Sequence, residues 1–88
     1  MPYITRTARP GFDIRLEPLL SYQVEQWTPG ELNYVLTKIA SAWLGYEANY
    51  DRLSDVIKTF ECAKLEFYRR VLVPYENAKA DENGDVYA

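Results

Sequence analysis

The chain contains no histidine and a single cysteine, Cys62. Without histidine there is no Ser-His-Asp or Cys-His machinery, no histidine-bearing zinc site and no Glu-x-x-His di-iron pair. A lone cysteine allows no disulfide within the chain, and with no histidine to act as its base it reads as a small core residue. No Gly-rich phosphate loop, nucleophile elbow or metal-ligand run is present. Asp81, Glu82, Asn83, Gly84 and Asp85 make an acidic run with a glycine, too short for a calcium loop. These absences predict a protein that is not an enzyme and that needs neither metal nor cofactor.

Long apolar runs are also missing. None approaches the roughly 18 residues of a membrane span. The opening MPYITRTARP has no apolar segment of the kind a secretory signal carries. With the thiol unpaired, the expectation is the reducing cytoplasm. Basic excess is absent as well: ten Lys and Arg stand against thirteen Asp and Glu, a net charge of −3. General nucleic-acid binding would need the opposite sign.

What the sequence does have is helical periodicity in 88 residues, the length of one small domain. The reading is an all-α chain of three helices. It comprises an N-terminal arm over 1–11, a first helix over 12–26 with Asp13 as its cap, a second over 29–46, a third over 50–81 and a tail over 83–88. Leu16, Leu19, Leu20, Val24 and Trp27 follow the helical spacing of the first. Pro18 requires that helix to be short or to begin irregularly. The extended-tolerant residues of the two termini leave room for a short strand pairing.

The sharpest local signal is Thr28-Pro29-Gly30-Glu31. Thr28 and Glu31 have the spacing of a capping box, and Pro29 fits the first helical position. Beyond it, Leu32, Val35, Leu36, Ile39, Ala40 and Trp43 form an apolar face at steps of three and four.

The third helix carries two apolar stripes. One is Leu53, Val56, Ile57, Phe60, Ala63, Phe67, Val71, Pro74 and Ala78; it is expected to pack on the first two helices. The other is Leu65, Tyr68, Leu72 and Tyr75, for which so short a chain offers no obvious cover. An exposed row of that kind marks an interface. It predicts a homo-oligomer, most simply a two-fold antiparallel pair. The alternative is that the arm over 1–11 folds back onto this face. Pro74 removes a backbone donor and crowds the Arg70 carbonyl, so a kink or break is expected there.

Tyr68, Arg69 and Arg70 are the candidate binding cluster. Guanidinium forks suit phosphate or carboxylate, and phenol rings stack on planar bases. Tyr75, one turn on, is a second stacking candidate; Asn33 and Tyr34, near the start of the second helix, are candidates to close a site on an anion. The ordinary alternative is a solvated face in which Glu66 pairs with Arg70. Eight tyrosines exceed what a small core needs, as surfaces that bind proteins or stack ligands often do.

The stretches MPYI, PGELNYVLTK, ECAKLEFYRRVLVPYE and NGDVY together resemble a family of small proteins of tailed bacteriophages and related mobile elements. The similarity spans most of the chain and departs over residues 40–55. The resemblance implies no activity and carries no functional residues. The phage setting it implies suggests a binding protein that antagonises bacterial immunity. Two modes follow: sequestering a small nucleotide-derived signal between protomers, or inhibiting or adapting a host protein. A non-enzymatic virion or replication accessory is the third expectation.

Overall fold

The computed structural model describes residues 3–87. They are helical, with no strand among them: α1 spans Arg9–Leu20, α2 Pro29–Leu44, α3 Tyr50–Phe67 and α4 Val73–Asn83. A π turn, Tyr68–Leu72, joins α3 to α4. Helical dihedrals persist on both sides of it, at Phe67 and at Val73, so α3, the π turn and α4 form one helical path. The all-α class holds; the strand pairing of the termini does not occur among the described residues.

The described chain divides into two units, Tyr3–Leu53 and the residues from Ser54 onward. In the first, α1 starts earlier than residue 12. A single 3-10 turn, Arg6–Ala8, leads into it, and the capping position is Ala8, without a side-chain bond. Asp13 therefore lies inside the helix and is not its cap. Pro10 explains the early start, since it sits in the first turn, where a missing N–H costs nothing and a fixed φ helps. Arginine side chains add bonds there: Arg9 Nε donates to the Ile4 carbonyl at 3.2 Å and Arg15 Nη1 to that of Gly11 at 3.3 Å. Pro18 is accommodated inside the helix, which ends two residues later at Leu20 instead of at 26. Gln23 then takes left-handed dihedrals, φ 48°, and a 3-10 turn over Val24–Gln26 follows.

At α2 the capping box forms. The Glu31 N–H donates to Thr28 Oγ1 at 3.2 Å, and the Thr28 N–H donates to Glu31 Oε1 at 2.8 Å. Two backbone donors that a helix start would otherwise leave bare are thus satisfied reciprocally. The helix stops at Leu44, two residues short of the expected end. Gly45 follows at φ 66°, a conformation that a side chain would oppose. Asn49 starts α3, its Oδ1 accepting the Arg52 N–H at 2.9 Å. Arg52 reaches back across the turn: its guanidinium lies 3.9 Å from the centroid of the Trp43 ring and donates to the Trp43 carbonyl.

From Ser54 onward the second unit is one helical path ending at Asn83, past the expected 81, with Gly84 at φ 87°. Within it no other element covers α3 or α4. Both apolar stripes stand largely open, Ile57 at 68% and Phe67 at 66%. No described residue of either unit is buried. Cys62, expected in a core, is exposed.

Candidate binding surface on the C-terminal helix

The helix does not break at Pro74; a π turn precedes it. Its signature is the Val73 N–H bonded to the Tyr68 carbonyl, five residues back. Proline at 74 cannot donate to the Arg70 carbonyl, and its ring would press on that oxygen. A widened turn just before the ring relieves the crowding and keeps the helix continuous.

The widened turn also changes which residues share a face. One i→i−5 turn takes up an extra residue, so every position after it is rotated by about 100° relative to an uninterrupted helix. Leu65 and Tyr75, about 80° apart around a regular helix, are carried to opposite sides. The row Leu65, Tyr68, Leu72, Tyr75 is not a single seam. Steps of four residues run straight through a turn this wide. Lys64, Tyr68, Leu72 and Glu76 thus follow one line, while Phe67, Val71 and Tyr75 follow another beside it.

Tyr68, Arg69 and Arg70 all lie in the π turn. Glu66 gathers both guanidiniums. Its Oε1 accepts from Arg69 Nη2 at 2.8 Å and lies 4.0 Å from Arg70 Nε. The closer partner is Arg69 and not Arg70, the one that helical spacing suggests. The Glu66 side chain is only 25% exposed, whereas those of Arg69 and Arg70 are 64% and 65% exposed. The cluster is thus a half-neutralised cationic surface with part of each guanidinium facing water. Tyr68 and Tyr75 are more than half exposed. Lys79 Nζ lies 5.7 Å from the Tyr75 ring centroid and 3.2 Å from Glu82 Oε2.

Asn33 and Tyr34 belong to the other unit, on α2. Asn33 Oδ1 accepts from Thr37 Oγ1 at 3.2 Å, and Lys38 Nζ lies 5.7 Å from the Tyr34 ring. Tyr34 lines an open hollow with Trp27, Thr28, Gly30, Glu31 and Val35. Asn33 and Tyr34 thus lie outside the helical path that carries Tyr68, Arg69, Arg70 and Tyr75. No group of three or more His, Cys, Asp or Glu residues among the described residues is placed to hold a metal ion. No helix among them is long and apolar enough to cross a membrane.

These features define an all-helical chain whose apolar and cationic side chains are presented at the surface. The chain belongs to the family of the domain of unknown function DUF6899, whose pattern matches residues 1–86. No curated protein and no solved structure matches it.

Proposed function

We propose that this chain is a non-enzymatic binding protein that works through its exposed helical faces, by association with protein surfaces, copies of itself included. The observation that carries this reading is burial. No described residue is buried, while Ile14, Tyr22, Ile57 and Phe67 each expose about two thirds or more of their surface. Large apolar side chains exposed in such number mark sites of protein interaction. Exposed side chains are also poor catalytic groups, because water competes with every charge they could direct at a substrate. In the phage setting that the sequence resemblance implies, the target is a factor of the bacterial host, in its cytoplasm, and the consequence is blunted immunity.

A second reading has its own observation. Arg69 and Arg70 keep nearly two thirds of their side-chain surface open on the helical path that also carries the exposed Tyr68 and Tyr75. A second protomer placed over them would enclose a cationic, aromatic pocket suited to a nucleotide-derived anion. Native mass spectrometry of the purified chain, alone and with a mixture of cyclic and linear nucleotides, separates the readings. An assembly that stays empty supports protein-directed binding. One that captures nucleotide mass, and loses it in the Arg69→Glu/Arg70→Glu variant at unchanged oligomer size, supports sequestration and overturns the first.

A further inference from the structure

The exposed line through the π turn extends in both directions. Ile57, Glu61, Lys64, Tyr68, Leu72, Glu76, Lys79 and Asn83 succeed one another at steps of three or four residues. The steps of four fall on either side of and across the π turn, where the helix is widest, so the line stays on one face. In an uninterrupted α-helix the twelve residues from Lys64 to Glu76 would swing it about a third of a turn away.

This line is a palindrome centred on Arg70. Tyr68 and Leu72 are equally far from the centre, as are Lys64 and Glu76, Glu61 and Lys79, and Ile57 and Asn83. Each charged position has the opposite charge at its mirror position. The charges are available: the side chains of Glu61 and Lys64 are 56% and 72% exposed and that of Lys79 is 47% exposed. Their intrachain pairs are exposed ones, Lys64–Glu61 at 3.7 Å and Lys79–Glu82 at 3.2 Å, and hold each other weakly.

We propose that a second copy of this chain binds this face antiparallel, about a two-fold axis at the level of Arg70. The inference rests on the reading of the chain as a protein that associates through its exposed helical faces. In this arrangement Tyr68 of each copy meets Leu72 of the other on the axis. Lys64 meets Glu76 and Glu61 meets Lys79 on both sides of it. Parallel pairing would set each charge against itself. Arg70, two residues from Tyr68 and two from Leu72, points away from the face, so the guanidiniums do not collide at the axis. The π turn acquires a purpose here, since it aligns the two halves of the palindrome.

The test uses the full chain and sedimentation equilibrium. The double variants Glu61→Lys/Lys64→Glu and Glu76→Lys/Lys79→Glu should each weaken self-association about tenfold or more, and combining all four should restore it. Circular dichroism checks that helicity is kept. A measurement on unaltered sequence stands beside it: spin labels on Cys62. Antiparallel pairing puts Cys62 opposite Ala78 of the second copy, so the two Cys62 residues lie roughly 24 Å apart along the axis at 1.5 Å per residue, whereas parallel pairing leaves the labels about 10 Å apart. A distance near 25–30 Å together with restoration in the fourfold variant supports the proposal. A short distance, a monomeric wild-type chain, or double variants that associate as tightly as wild type each overturn it. A monomer that still binds a host protein would leave the functional reading standing without this interface.

Discussion

Val73 bonds through its N–H to the carbonyl of Tyr68, five residues back, one position before Pro74. The bond and the proline explain each other. Replacing Pro74 with alanine restores a donor for the Arg70 carbonyl and removes the ring that crowds it. Pro74→Ala should turn the segment into regular α-helix, visible as a gain in helicity and as new amide protection at residue 74. The same change rotates Glu76 and Lys79 by about 100° relative to Lys64 and Glu61. Self-association should therefore weaken although the helix is stabilised. A variant that is more helical and associates as tightly as wild type would show that the π turn has no part in the interface.

Arg52 on Trp43 is the clasp of the turn between α2 and α3. A guanidinium on an indole face contributes about 0.5–2 kcal/mol, according to how far it is shielded from water. Arg52 is half-buried, so Arg52→Ala should cost roughly 1 kcal/mol of that unit's stability and shift the Trp43 fluorescence. An unchanged emission spectrum and melting curve would mean that the clasp contributes nothing in solution.

The capping box predicts a local effect. Thr28→Ala removes the acceptor of the Glu31 N–H and should destabilise the start of α2 by about 1 kcal/mol. Hydrogen exchange at the Glu31 and Leu32 amides should quicken, with α3 and α4 unaffected. Uniform quickening along the chain would place the effect elsewhere.

Cys62 is exposed, so its thiol should react completely with a water-soluble disulfide reagent without denaturant. In the antiparallel pair the two thiols are too far apart to join, since a disulfide needs Cα atoms within about 7 Å. Mild oxidant should give no covalent dimer at low protein concentration. A rapidly formed disulfide dimer would contradict the register.

Residues that act within a single turn were legible in the sequence. Thr28, Pro29 and Glu31 determine the start of α2 by contacts three residues apart, and the structure shows each bond. Gly45, which takes positive φ, ends α2 inside the range expected for that helix. The start of α1 was misread because Asp13 has a capping side chain, whereas Pro10 and the arginine bonds to Ile4 and Gly11 settle the matter three residues earlier. The apolar stripes of the third helix were read with a period of 3.6 residues. That period fails at Pro74, because relief of its ring changes the phase of everything beyond. Glu66 pairs with Arg70 at 4.0 Å, as its i,i+4 spacing predicts, and more closely with Arg69 at 2.8 Å. No described residue is buried, and periodicity tells which residues share a face and not what covers it.

A chain with no buried residue among those described should draw its stability from association, and then its melting temperature must depend on concentration. The most direct measurement is thermal unfolding by circular dichroism at about 1 µM and about 100 µM, with the mass in solution determined at both. The account predicts a sharper transition and a melting temperature several degrees higher at the greater concentration, where the chain is oligomeric. A monomer at both concentrations with one cooperative, concentration-independent transition would contradict it.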